Sequence, residues 1–488
     1  MSSDTVSPAV SRPTPHKANP YTQGGLGLLY LKTAPPVILV MGMGGLLTVI
    51  DALFLGVTLG ADALTAVTLT FPVQMLLNGV AMAVSSGLSS LLARHLGAGR
   101  MHEARAVFAG AHGLCLALGG GLILLFLAVA LTAGLATGEQ AGALLAGEPG
   151  TIGDWAQTYL TITILGAPLF FLLSANAEAL RDEGRVLAMA GMSLFVSLAN
   201  MAFNALLILG AGWGVAGSAF GTLAAQALAL LVILRHRNRV RSALRPGVIL
   251  GLLKGPGCTT GWSAILALGG PRGLNFVGIA LVSAAILAAI RLFGGDQVDA
   301  TVAAYGVVIR VTTVLILPLL GLAQAMQSIV GTNSGAGAWD RADRGLKLGL
   351  GLALAYCALG EAILARFAAP IGALFVSDPI VVGEIARILP QMTALFVVTG
   401  PLILVATYFQ AIGEAKRAAL LNLAKPYAFS LPLTVLMPRV LGEAGIWLAA
   451  PLAEGLLLTL TLVILARSAR RGTLRWGLFQ APLREARP

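Results

Sequence analysis

The sequence predicts an all-α polytopic membrane protein, with twelve transmembrane helices in two six-helix parallel repeats around a central cleft. Three observations predict it. Of 488 residues, 57% are hydrophobic and 11% charged, with a mean hydropathy of +0.86, against roughly 25% charged in an ordinary soluble domain. Apolar runs long enough to span a bilayer recur along the chain. In lipid only helices or closed barrels satisfy every backbone N–H and C=O, and the short alternating strands of a barrel do not occur. Finally, the chain repeats itself. Gly97-Ala98-Gly99 with Ala104 returns as Gly335-Ala336-Gly337 with Ala342, where 335 minus 97 and 342 minus 104 both give 238, and the same shift lays Ala66 on Ala304 and Ser90 on Ser328. A repeat of this length means two similar bundles rather than small solenoid units.

The apolar runs place spans at 32–57, 65–94, 104–136, 151–180, 186–210 and 214–235 in the first half. The second half has them at 262–293, 300–332, 344–375, 381–412, 418–438 and 444–466. The organisation that follows is a Ser/Thr/Pro-rich disordered cytosolic tail (1–31), an N-terminal lobe (32–235), a basic cytosolic linker (236–261), a C-terminal lobe (262–466) and a basic cytosolic tail (467–488). The tail at the start lacks the apolar core and cleavage site of a signal peptide. Six helices per half is an even number, so both halves enter the membrane from the same side and are related by a two-fold axis along its normal.

The net charge of +11 belongs to topology. Basic residues fall in alternate loops (Arg94, Arg100 and Arg105; Arg181 and Arg185; Arg235 to Lys254; Arg341 and Arg344; Lys416 and Arg417; Arg467 to Arg475), whereas Asp62, Glu139, Asp154, Asp299, Asp378 and Glu443 occupy the others. By the positive-inside rule both termini are cytoplasmic, in a cell (inner) membrane protein whose linker lies against anionic lipid. Without interleaved aromatics these charges do not describe a nucleic-acid surface. Cys115, Cys258 and Cys357 stand singly and offer no disulfide framework. His95, His102 and His112 lack metal-site spacing and read as a solvated cluster, so no metal or other cofactor is expected. No P-loop occurs. Gly212-Trp213-Gly214-Val215-Ala216-Gly217 fits a dinucleotide fingerprint but follows a membrane helix, so it reads as a tight turn before a helix whose Gly217 and Gly221 permit close packing. No assembled catalytic set appears, and the chain reads as a transporter rather than an enzyme.

An ionisable side chain inside a membrane helix is costly and marks a candidate site. In the first half Asp51 is that residue, flanked by Val37 to Ile50 and by Ala52 to Leu55. Asn200 and Asn204 share one helix face, Thr222 lies on the next helix, and Gln74 and Asn78 form another face at i, i+4 spacing. The second half offers Gln324, Gln327, Gln391 and Gln410, with Glu361 and Glu454 as embedded acids that Arg366 or Lys425 could neutralise. Arg272, Arg291 and Arg310 can snorkel or pair.

Together these residues resemble the multidrug and toxic compound extrusion family of cation-coupled exporters. The resemblance runs from about Pro35 to Leu465. It rests on Asp51 with Phe54-Leu55-Gly56, Pro72, Leu96 to Gly99, Arg181-Asp182-Glu183-Gly184, Asn200, Gly214 to Gly217, Gln324, Gly331 to Ala336, Asp340-Arg341 and Gln410 to Gly413. One branch of that family carries acids in the seventh and tenth helices. Here Leu274 to Ile290 and Pro390 to Gln410 contain none, so the chain is more similar to the DNA-damage-inducible F branch. What that similarity implies is Asp51 as coupling acid, with Asn200, Asn204 and Thr222 completing the cation site, and Pro36 as a bending point of the first helix; the embedded polar faces of Gln74, Asn78, Gln324, Gln327 and Gln391 are the candidates for lining the substrate cleft. Relatives of the branch often have an Asp where this chain has Asn204, which favours a proton over sodium as the coupling ion. The implied activity is antiport of amphipathic organic cations or other xenobiotics by rocking of two lobes, from a protein working as a monomer among membrane lipids. A lipid-linked oligosaccharide flippase of the same superfamily is the alternative, and it requires Arg272, Arg291 and Arg310 to meet at the central cleft.

Overall fold

The computed structural model describes residues 19–137, 151–240, 242, 244–245, 247, 251, 256–294, 297–470, 474–475 and 478–480; the side chains of 45–53, 61, 133–137, 256, 474–475 and 479–480 lie outside that set. Ten helices in it are long and apolar enough to cross a membrane, and two further pairs, bent by 50° and 45°, each complete one more crossing, for twelve in all. The N-terminal lobe consists of α1 (Leu26–Leu59), α2 (Phe71–Gly97), α3 (Met101–Thr137), α4 (Thr151–Leu165 and Ala167–Asp182), α5 (Val186–Asn204, continuing as a π-turn Ala205–Gly210) and α6 (Gly214–Arg239). The C-terminal lobe repeats the order with α7 (Trp262–Phe293), α8 (Val298–Gly335), α9 (Trp339–Ala373), α10 (Pro379–Thr393 and Phe396–Ala411), α11 (Ala415–Leu441, with a π-turn at Ala424–Ser430) and α12 (Glu443–Arg470). A two-residue antiparallel pair, Leu474–Arg475 with Phe479–Gln480, follows α12.

The first helix begins earlier than its apolar run predicts. A 3-10 turn at Pro20–Thr22 precedes it, Tyr21 is buried, and α1 is already helical at Leu26, so the tail expected over 1–31 is ordered from Asn19 onward. Pro35 and Pro36 therefore lie inside α1 rather than at its start. Neither can donate to the carbonyl four residues back, which leaves two missing backbone bonds within one turn.

The lobes meet along a seam in which glycines let backbones touch. A Cβ on Gly87 would stand 2.1 Å from the Ile265 carbonyl oxygen, and one on Gly269 would stand 1.9 Å from that of Ala83. Both pairs join α2 to α7. At the basic-loop end the duplicated motif packs on its own copy. A Cβ on Gly97 would lie 1.9 Å from the Thr332 carbonyl oxygen and one on Gly335 would lie 2.1 Å from that of Arg94. Position 332 exceeds 94 by 238, the offset that also separates the two glycines, so the internal two-fold axis passes between these contacts.

Burial follows the seam. In α2 every residue from Val84 to Ser90 is buried, and in α8 every residue from Gly321 to Ser334, whereas Phe71, Pro72 and Leu76 at the other end of α2 and Val314 in α8 are exposed. The lobes are pressed together over the halves that end in basic loops. One apolar cluster runs through this closed half, joining Tyr30, Val37, Leu180 and Ile233 of the first lobe to Leu322, Met326, Ile329 and Leu404 of the second.

Candidate functional site

In the N-terminal lobe the helices that carry the predicted cation site pack together: α1 contacts both α5 and α6. Asn200 and Asn204 are buried on the inner face of α5. Asn200 Nδ2 donates to Thr222 Oγ1 of α6 at 2.8 Å, and Asn204 Nδ2 donates to Asn200 Oδ1 at 3.2 Å. Gly221 permits the approach, because a Cβ there would fall 2.2 Å from Asn204 Oδ1. The turn before α6 also reads as predicted, with Gly212 and Gly214 at positive φ and Gly217 against the Leu207 backbone. Three of the four residues expected at the cation site thus form one hydrogen-bonded chain. The fourth, Asp51, belongs to α1, and its side chain lies outside the described residues.

The residues expected to line the substrate cleft divide. Gln74 donates to Thr70 Oγ1 (2.9 Å) and Asn78 to the Gln74 carbonyl (2.9 Å), both half-buried on the first half of α2. Gln391 is half-buried on the first part of α10. Gln324 and Gln327 do not line an open wall; both are buried in the closed seam. Gln327 Nε2 donates to the Ser86 carbonyl (3.1 Å), and Gln324 Oε1 accepts from Arg181 Nη1 (2.6 Å).

Arg181, which the sequence reading places in a basic loop, organises a buried network. It is fully buried at the end of α4. Its Nε donates to Ser328 Oγ (2.9 Å), Nη2 donates to Ser89 Oγ (2.9 Å), and the guanidinium pairs with Glu178. Asp182, also fully buried, accepts from the same two hydroxyls, Ser328 (2.6 Å) and Ser89 (3.1 Å). Ser89 belongs to α2 and Ser328 to α8, so this charged network spans both lobes. Positions 328 and 90, and 324 and 86, differ by the repeat offset. Across the axis Gln410 stands where Arg181 does: the turn after it closes with Gly413 N–H donating to the Gln410 carbonyl (3.1 Å), as Gly184 donates to that of Arg181 (2.8 Å). Gln410 Nε2 binds Ser86 Oγ (3.2 Å) and the Leu268 carbonyl (3.0 Å), while Ser90 Oγ donates to the Gln410 carbonyl. The two halves of the seam share a plan and differ in charge.

The embedded acids of the second lobe also find partners. Glu454 pairs with Lys425 and accepts from Thr399 Oγ1 (2.8 Å). Glu361 accepts from the backbone N–H groups of Leu395 (3.2 Å) and Val397 (2.7 Å), at the break between the two parts of α10, where Leu395 has φ of 70°. Arg366 lies over the Phe367 ring instead. His112 is buried rather than solvated, with Nδ1 on the Phe108 carbonyl (2.8 Å) and Nε2 on Asn176 (3.0 Å). Arg272 is buried in the seam, whereas Arg291 and Arg310 are exposed on α7 and α8. These three arginines do not meet.

A family model described as MatE matches residues 36–206 and 276–436, one segment in each lobe. The chain belongs to the MATE family. Among curated relatives of this MATE chain, a FAD transporter of Shewanella oneidensis is 28% identical over 408 residues, covering 81% of this chain and 85% of that protein. The multidrug export protein MepA of Staphylococcus aureus is 24% identical over 432 residues, covering 85% and 89%. Among solved structures, the outward-facing conformation of a multidrug resistance MATE family transporter superposes with a TM-score of 0.78 at 21% identity, covering 91% of this chain and 96% of that one. At that identity the likeness establishes the twelve-helix fold. The family match places the chain among multi-pass membrane transporters.

Proposed function

We propose that this MATE transporter is a cation-coupled exporter of amphipathic organic cations or other xenobiotics, driven by rocking of its two lobes. It works as a monomer in the inner membrane with both termini in the cytoplasm, and belongs with the DNA-damage-inducible F branch. The observation that carries the reading is the buried Asn204–Asn200–Thr222 chain on the two helices against which the Asp51 helix packs. In this state the seam is closed at the basic-loop end, the cytoplasmic side on this reading, and the cleft opens outward. Protonation of Asp51 from outside removes a charge from the pocket and releases substrate. Proton loss to the cytoplasm after the lobes swing restores the pocket for the next molecule. Coupling follows because proton and substrate favour different states of the same two-state equilibrium. Pro35 and Pro36, inside α1, give that helix a place to bend between the two states.

The proton is preferred over sodium because Asp51 is the single carboxylate of this set: Asn200, Asn204 and Thr222 add neutral oxygens only, a poorer charge complement for a hard cation. A second substrate class, flavin dinucleotide, enters through the relative named as a FAD transporter. The flippase reading loses its requirement, since Arg272, Arg291 and Arg310 are apart. The test uses proteoliposomes under an imposed pH gradient and, separately, a sodium gradient. Efflux of a fluorescent organic cation and of FAD is compared for the parent and Asp51→Asn. Gradient-driven efflux should fall at least tenfold in the variant; unchanged efflux removes Asp51 from coupling. Asn204→Asp should add a response to sodium that the parent lacks.

A further inference from the structure

Two grooves flank the glycine contact at the basic-loop end, related by the internal two-fold axis, and the chain fills one of them with its own beginning. That groove lies between the 182–184 turn and the start of α9. Pro20 covers Gly184, where an added Cβ would come within 2.9 Å of the proline ring. Asn333 donates to the Tyr21 carbonyl (3.0 Å), and Arg341 donates to the carbonyls of Gly24 (3.0 Å) and Gln23 (3.3 Å). The first groove is therefore a donor-lined slot holding acceptor oxygens.

The second groove lies between the 411–413 turn and the start of α3. No segment of the chain fills it among the described residues. A cavity of about 330 Å³ remains there, lined by Arg94, His95 and Arg100 from the first lobe and by Ser334, Trp339 and Ile412 from the second. Arg94 donates from Nε to the Ser90 carbonyl (3.1 Å), and its Nη1 lies over Gly413, where a Cβ would come within 2.1 Å. The guanidinium has no carboxylate partner among the described residues. The nearby acids are engaged elsewhere: Glu103 with His95 (2.9 Å) and Arg100 (3.4 Å), and Glu414 with Arg417 (4.0 Å). Two guanidinium groups thus face one carboxylate, and the cavity keeps a net positive charge.

We infer that this second groove is a binding site for a phosphate group that bridges the two lobes. A half-buried guanidinium without an acid presents the planar fork that phosphate oxygens match. Arg100 adds an exposed second charge, and Trp339 gives a flat apolar wall for the group that carries the phosphate. Because the lining comes from both lobes, the site exists only while the seam is closed. An occupant that binds one state and not the other shifts the population toward that state, so phosphate here holds the basic end shut. The phosphate belongs either to a phospholipid headgroup or to a free phosphate species, which offer the same oxygens.

The test uses the full-length protein in detergent, with its thermal midpoint followed as short-chain phosphatidic acid, short-chain phosphatidylcholine or inorganic phosphate is titrated in. The expected result is a saturable rise with phosphatidic acid, whose phosphomonoester is net negative, and a much weaker one with phosphatidylcholine, whose phosphodiester charge is offset by its choline. An equal rise with inorganic phosphate identifies a free phosphate as the source, and a rise with the lipid alone identifies the headgroup. Arg94→Gln should weaken the apparent affinity at least tenfold and Arg100→Gln several-fold, while Arg344→Gln, an exposed charge outside the groove, leaves it unchanged. Arg100 is exposed and packs no part of the seam, so its variant decides the matter should Arg94→Gln fail to fold. Absence of a saturable rise with either phosphate source, or a response in Arg100→Gln matching the parent, overturns the site. The binding readout is independent of Asp51 and of any transported substrate.

Discussion

The two lobes are copies that close on each other through the same backbone contacts, yet they spend their buried charge differently. The first lobe sends Arg181, Asp182 and Glu178 into the seam, where hydroxyls from both lobes, Ser89 and Ser328, hold Arg181 and Asp182, and Arg181 pairs with Glu178. The second places neutral Gln410 at the equivalent position, adds Arg272 to the seam near Glu178, and keeps Glu361, Glu454 and Lys425 within its own helices around the break in α10. Two-fold closure requires matched small residues, since a carbonyl oxygen must pass where a Cβ would be. It does not require matched polarity. Duplication thus fixed the geometry of the joint and left each side free to acquire its own chemistry.

That comparison can be broken first at the glycines. Gly97→Val and Gly335→Val each put a side chain into a backbone oxygen, and both should keep the seam from closing. A reporter cysteine at the buried Ser90 position should be protected from a thiol reagent in the parent and labelled at least tenfold faster in either variant. A large effect at one glycine alone would refute the symmetry of the joint. Next in size are the charges. Arg181→Met strands Asp182 and Glu178 in a buried site and should cost about 3–5 kcal/mol, as breaking a buried pair does. Gln410→Met removes neutral hydrogen bonds only and should cost about 1–3 kcal/mol, at about 1 kcal/mol apiece. Equal drops in the thermal midpoint would show that the two sides are not electrically different. Smallest is the second lobe's own pair. Lys425→Met leaves the buried Glu454 without its ammonium, whereas Glu454→Gln leaves a lysine side chain that is 38% exposed and can turn toward water. The lysine substitution should therefore lower the midpoint more than the glutamate one, and the reverse order would mean that Lys425 is the buried member.

Much of this architecture is legible in the sequence because its signals are local or periodic. The apolar runs mark the spans, and the constant offset places Gly97 opposite the copy it touches. Asn200, Asn204 and Thr222 are found because helical spacing brings them to neighbouring faces. Arg181 is misread because it stands at the end of an apolar run, where a loop charge and a buried charge look alike; Ser328, which tells them apart, is 147 residues away. Gln324 and Gln327 are misplaced for the same reason, since which face of α8 meets the other lobe depends on the state of closure. His112 is drawn to a solvated cluster by His95 and His102, and only the packing of α3 on α4 shows it buried. The early start of α1 is hidden because Pro35-Pro36 imitates a helix beginning, while the contacts that order residues 19–24 come from Asp182, Asn333 and Arg341.

Those last contacts bear on how the molecule is made. Tyr21 donates to the Arg181 carbonyl (2.8 Å) and accepts from Asn333, 312 positions further along. A ribosome has released the opening residues long before it synthesises the groove that receives them. The beginning of the polypeptide must wait, unseated, until the ninth helix has been inserted, and its docking becomes one of the final steps of assembly.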